Sequence, residues 1–170
     1  MKKNIEVSLD YLALEKCKDD KERAIKLSED LERRKAEITQ IKKVLEKTRQ
    51  SVFEGMKDYI KKEIPDLVFA EKDLRSSPIC AKFKTDSYSF YVSITKDLGC
   101  VLYLDSESAR MGAKLSKTII KQFKDILSWY TPMYKMFQKF GSNDFDQAYT
   151  CYVNVIKKVK EVWPKAINIE

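Results

Sequence analysis

At 170 residues, 44% of them hydrophobic, the chain is long enough for one domain of ordinary size plus an extension, and too apolar to be disordered. With 33 Lys and Arg against 26 Asp and Glu, its formal net charge of +7 favours polyanions over cationic partners. The absence of histidine removes the commonest general base and every Ser-His or Cys-His nucleophile pair.

In chain order, residues 5–14 show no clean period, since Ile5, Val7 and Leu9 alternate before Leu12 and Leu14 break the pattern. A short helix capped by Ser8 is expected there, followed by a long helix that starts at Asp19 or Asp20. From Ala24 to Val52 the long helix carries Ala24, Leu27, Leu31, Ile38, Ile41, Leu45, Thr48 and Val52 at alternating intervals of three and four residues, with Arg34 the break in the apolar register. A 3.5-residue repeat held for four heptads marks a helix whose seam faces another helix. At 1.5 Å per residue the helix would run roughly 60 Å, too long for a small domain to cover. Leu27, Leu31, Ile38, Ile41 and Leu45 are therefore expected to form a coiled-coil oligomerisation seam, most simply in a homodimer. Toward its end the helix gains a wider apolar stripe, Val52, Phe53, Met56, Tyr59 and Ile60, suited to covering a sheet, and Ile64-Pro65-Asp66 ends it.

Leu67–Phe69, Ile79–Lys84, Tyr88–Thr95 and Cys100–Leu104 are short runs rich in aromatic and β-branched residues and are expected to form four strands of an antiparallel meander. Thr85-Asp86-Ser87 and Lys96-Asp97-Leu98-Gly99 supply its hairpin loops. Along the third run Tyr88, Phe90, Val92 and Ile94 share a buried face, and Ser89, Tyr91, Ser93 and Thr95 share one that is partly wet. After the polar junction 105–108, a helix from about Ala109 or Ala113 to Ser128 is expected to turn Ile119, Ile120, Phe123, Ile126 and Leu127 inward. That spacing places Lys114, Lys117, Lys121 and Lys124 along its outer side, where successive ammonium groups could meet the phosphates of DNA or RNA. Met133 to Phe140 reads as a strand or a short helix, and a last helix capped by Asn143 or Asp144 carries Phe145, Ala148, Tyr152, Val155, Ile156, Val159 and Trp163 inward before Pro164 stops it.

Cys17, Cys80, Cys100 and Cys151 form no Cys-x-x-Cys pair, which argues against structural zinc and for reduced cysteines, the last three serving as small hydrophobes. No apolar run approaches bilayer length and residues 1–4 are too short and polar for a targeting segment, so a cytoplasmic protein without membrane association is expected. Four glycines scattered singly build neither a P-loop nor a dinucleotide fingerprint, and no cofactor is implied. Asp66, Glu71 and Lys72 invite comparison with a metal-dependent nuclease. Glu71 and Lys72 are adjacent, however, and adjacent strand residues point to opposite faces, so catalysis and a metal site are not expected. Asp105 and Glu107 suit a helix-capping junction better.

The chain from about Arg49 to Ile167 resembles an uncharacterised accessory domain found at the C-terminal end of some PD-(D/E)XK nuclease-like proteins of bacterial restriction and defence loci. The resemblance is carried by Phe53, Tyr59-Ile60, the run Val101-Leu102-Tyr103-Leu104-Asp105, Leu115 through Ile126 leading to Trp129, and the ending Val162-Trp163-Pro164. It implies a nucleic-acid-associated, non-catalytic module; the nuclease half usually joined to such domains has no counterpart in this sequence. The expected architecture is α+β, with a helical coiled-coil segment over 1–50 and a globular domain over 51–170 in which two C-terminal helices pack on a small antiparallel sheet. The expected function is non-enzymatic binding, either as a homodimeric nucleic-acid-associated module or as an adaptor or phage-type inhibitor that recruits another protein.

Overall fold

The structure, a computed structural model, describes residues 20–70, 77–131 and 134–169. The short helix expected before Asp20, Cys17, and the Glu71-Lys72 pair lie outside the described residues. The long helix is present as α1 (Asp20–Glu63), 44 residues without a proline. Pairs one turn apart support it, including Lys26 with Glu22 at 2.8 Å and Arg34 with Asp30 at 2.7 Å. Each such pair is worth only a few tenths of a kcal/mol on a solvated helix. The helix closes with Ile64 N–H donating to the Ile60 carbonyl, and Pro65 prevents a further turn.

The chain divides into two units, Met1–Arg49 and Gln50–Glu170, and α1 spans the division. Between Asp20 and Arg49 no residue is buried. The second unit contains the core.

Its centre is a six-stranded sheet in the order β4-β5-β3-β2-β1-β6, made of β1 (Ile79–Lys84), β2 (Ser89–Ile94), β3 (Cys100–Leu104), β4 (Trp129–Thr131), β5 (Lys135–Gln138) and β6 (Ile167–Ile169). Every neighbouring pair is antiparallel. Strict alternation along β1–β3 sends Ile79, Ala81, Phe83, Phe90, Val92, Ile94, Leu102 and Leu104 to one face, where they join the main core. The last helix, α4 (Phe145–Val162), lies on that face with Ala148, Tyr152, Val155, Ile156 and Val159 buried. Phe53, Met56 and Ile60 from the end of α1 enter the same core, and the Phe53 ring meets Phe145 edge-on at 5.7 Å. Trp163, at the C-cap of α4, packs on Phe90 at 4.6 Å and on Phe123 at 5.7 Å. The molecule is thus α+β, with a long N-terminal helix, an antiparallel sheet and C-terminal helices.

The face of β2 expected to be partly wet is instead buried at Tyr91 and Ser93, where Tyr91 joins Cys80, Val101 and Tyr103 in a second apolar cluster. The structure differs from the sequence expectation in three further places. Leu67–Phe69 is not a strand, although the segment is tied beside β1 through Ala70 N–H to the Cys80 carbonyl. The Asn168 side-chain amide, which donates to the carbonyls of Val68 and Lys82 and accepts from Val68 N–H, takes the place of a ladder partner there. The sheet gains β4 and β6, and of the two readings of the stretch before Gly141 the strand is present, as β5 (Lys135–Gln138). The helix expected from Ala109 or Ala113 to Ser128 is two: α2 (Ser106–Arg110) and α3 (Lys117–Phe123). Gly112, at φ +83°, turns the chain between them in a region that suits glycine, and Ser116 caps α3 by accepting from Ile119 N–H.

Candidate interaction surfaces

The seam of α1 has the largest set of unshielded apolar groups. Leu27, Leu31, Ile38, Ile41 and Leu45 are between 42% and 65% exposed, although fully burying one such side chain is worth about 1.5–3 kcal/mol. Its two polar positions are satisfied on their own helix. Arg34 Nε donates to Asp30 at 2.7 Å, and Arg33 donates to the same carboxylate. The Arg34 hydrogen bond holds the Asp30 carboxyl below the usual carboxylate range. Thr48 Oγ1 donates to the Val44 carbonyl at 2.9 Å. What the seam presents outward is therefore methyl and methylene groups.

The lysine set is rearranged relative to expectation. Lys114 lies in the loop before α3, so the four ammonium groups do not share one helix. Lys117 and Lys121 stand on α3 and Lys124 at its C-cap, spaced by four and three residues and hence on one side. All four lysines are exposed, and none has an ion pair within the described residues. Phe123 and Leu127 are buried on the inward side, as the periodicity requires, while Ile119, Ile120 and Ile126 are half-buried. Ser116 fixes where α3 begins and so where Lys117 points away from the core.

The acidic residues have structural partners. Asp66 accepts from Lys160 at 2.6 Å and Glu63 from Lys157 at 3.0 Å and from the Tyr149 hydroxyl at 2.9 Å. The lysine hydrogen bonds hold both carboxyls below the usual range. Asp105 is the N-cap of α2 and accepts from Ser108 N–H at 2.7 Å, and Lys82 approaches its other oxygen at 3.7 Å. Among the described residues no group of three or more His, Cys, Asp or Glu could hold a metal ion. No helix there is long and apolar enough to cross a membrane.

Behind the sheet, on the face away from α4, Tyr91 and Tyr103 stack at 5.2 Å between Lys82 and Lys135 in one cross-strand row. The ammonium of Lys82 sits 5.4 Å from the Tyr91 ring centre, and that of Lys135 sits 5.2 Å from Phe137. Rows of this composition can serve as stacking platforms for bases. Here Tyr91 is 7% and Tyr103 8% exposed, which leaves too little ring for a base, and Phe90 is wholly in the core.

Two further features depend on contacts that sequence spacing does not display. Val52, Gly55, Met56 and Tyr59 on α1 and Phe145 and Tyr149 on α4 line an apolar groove of about 530 Å³. At the β4 edge of the sheet, Trp129 and Tyr130 are both exposed, on successive strand positions and hence on opposite faces. Sequence spacing misses β4 because three residues are too few to show a period of two. Cys80, Cys100 and Cys151 are buried free thiols, and burial pushes the Cys100 thiol well above its usual range, consistent with use as a small hydrophobe.

Comparison with protein-family models, curated proteins and solved structures finds no match. The functional reading therefore stands on the chain's own residues.

Proposed function

We propose that the protein is a non-enzymatic, homo-oligomeric binding module of the cytoplasm that associates with nucleic acid. The observation that carries the reading is the set Lys114, Lys117, Lys121 and Lys124, all exposed and without an ion pair among the described residues. An ammonium group outside any ion pair meets a phosphate without first losing a salt bridge, and each phosphate it neutralises releases condensed counterions. The net charge of +7 acts in the same direction over longer range. Four phosphates neutralised per protomer would give a log–log salt slope near −3.6 on mixed-sequence duplex DNA. Replacing all four lysines with glutamine should flatten that slope while leaving the fold intact. Equally poor binding of wild type and variant to duplex DNA and to single-stranded RNA at about 150 mM salt would overturn the reading.

A second reading, a protein-interaction adaptor, is favoured by the β4 edge. A three-residue edge strand that carries the exposed Trp129 and Tyr130 can add a partner's extended segment by main-chain hydrogen bonding, with one ring on each face as an anchor. Loss of a partner on Trp129→Ala, with the lysine variant still bound, would select it.

A further inference from the structure

We infer that α1 pairs with the same helix of a second copy in parallel and in register over Ala24–Thr48. The inference rests on the self-association proposed above and adds the identity of the partner helix and its direction. Ala24, Leu31, Ile38 and Leu45 occupy one set of seam positions, heptad a, and Leu27, Arg34, Ile41 and Thr48 the other, heptad d. The flanks follow from this register. Asp30, Glu37 and Val44 fall at g, on one side of the seam, and Lys35, Lys42 and Arg49 fall at e, on the other.

The acidic flank and the basic flank decide direction. In a parallel, in-register pair each g residue lies against the e residue that follows five positions later on the other helix. Asp30 then faces Lys35 of the second copy and Glu37 faces Lys42, and symmetry repeats each contact. The next such pair upstream, Arg23 with Ser28, is indifferent. An antiparallel pair instead sets g against g and e against e, so carboxylates face carboxylates and lysines face lysines and arginine.

The ion pairs within the single chain single out one contact. Glu22, Asp30 and Glu32 each have a cation one turn away on their own helix, whereas Glu37 and Lys42 have none among the described residues. Glu37 and Lys42 are exposed and on opposite sides of the seam. They cannot reach each other on one helix, and they meet in a parallel pair. The position of Arg34 favours two strands. In a two-stranded seam its side chain leans to the rim where Asp30 already binds the guanidinium, while a three- or four-stranded bundle would enclose one guanidinium per chain at the axis.

The test uses the full-length protein as wild type, Glu37→Lys and the double variant Glu37→Lys with Lys42→Glu, each measured by sedimentation equilibrium at low salt. In the parallel arrangement the single change turns two attractions into two repulsions and should weaken the dimer roughly tenfold. The double change restores opposite charges across the seam and should recover the wild-type constant to within about twofold. An antiparallel pair predicts otherwise, because the single change leaves association unchanged or tightens it and the double change restores nothing. Either result, or weakening without recovery, overturns the parallel assignment while leaving a dimer in place. A wild type that stays monomeric at tens of micromolar instead overturns the self-association on which the inference rests.

Discussion

The phenol of Tyr152 is fully buried in the core beneath the sheet, and its hydroxyl has no hydrogen-bond partner among the described residues. A buried hydroxyl without a partner forfeits its hydration for nothing, at a cost of about 1–3 kcal/mol. Tyr152→Phe keeps the ring and removes the orphaned group, so the variant should be more stable by about 1 kcal/mol in urea denaturation. A loss of stability of that size would mean that the hydroxyl has a role the contacts do not display. Asn168 is the opposite case. Its amide is used at both ends, against Val68 and Lys82, and through it β6 secures the stretch that follows α1. Lys117 carries a different local conflict, because a cation in the first turn of α3 opposes the partial positive charge of the helix start and no acidic residue relieves it.

Among the elements, the passage from α2 to α3 depends on Gly112. A side chain there would meet open space, so the positive φ alone sets the cost of replacing it. Gly112→Ala should therefore destabilise the domain by roughly 1 kcal/mol, read as a shift in urea midpoint at unchanged slope. If stability is unchanged, the turn adopts another conformation and the division of the helix is wrong. The same place shows what the sequence could not display. Ile119, Ile120 and Phe123 give the inward side of α3 correctly, but their period continues smoothly upstream, and a glycine that turns the chain looks the same in the sequence as one tolerated inside a helix. Strands β1, β2 and β3 were legible because five or six residues of alternation fix both element and face. Strands β4 and β6 have three residues each, and their existence depends on β5 and β1 being beside them. Of the candidate site, the seam of α1 and the individual lysines could be read directly, whereas the placement of Lys114 and the groove between α1 and α4 depend on tertiary contacts.

At the scale of the molecule, apolar groups are distributed unequally between the two units. Every buried residue described belongs to Gln50–Glu170, whereas Asp20–Arg49 exposes Leu27, Leu31, Ile38, Ile41 and Leu45 along one seam. The second unit should therefore fold alone, and a fragment covering Gln50–Glu170 is expected to retain a cooperative thermal transition and its near-ultraviolet circular dichroism. The first unit should behave differently. A peptide covering Asp20–Arg49 has good helix formers and pairs such as Glu22–Lys26 and Asp30–Arg34. Those pairs contribute only tenths of a kcal/mol each, and most of the stability of a protein helix comes from packing its apolar face rather than from propensity. Burial of the seam against a second copy supplies what is missing, and it does so only when two chains meet. Helicity at 222 nm should therefore rise with peptide concentration between about 1 and 100 µM and fall again when Leu31→Asp and Leu45→Asp place carboxylates in the seam. Two results would count against self-association as the source of the helix. One is strong helicity that does not depend on concentration, which would mean that α1 is stable without a partner; the other is a peptide that stays unfolded throughout, which would mean that the seam requires a different chain.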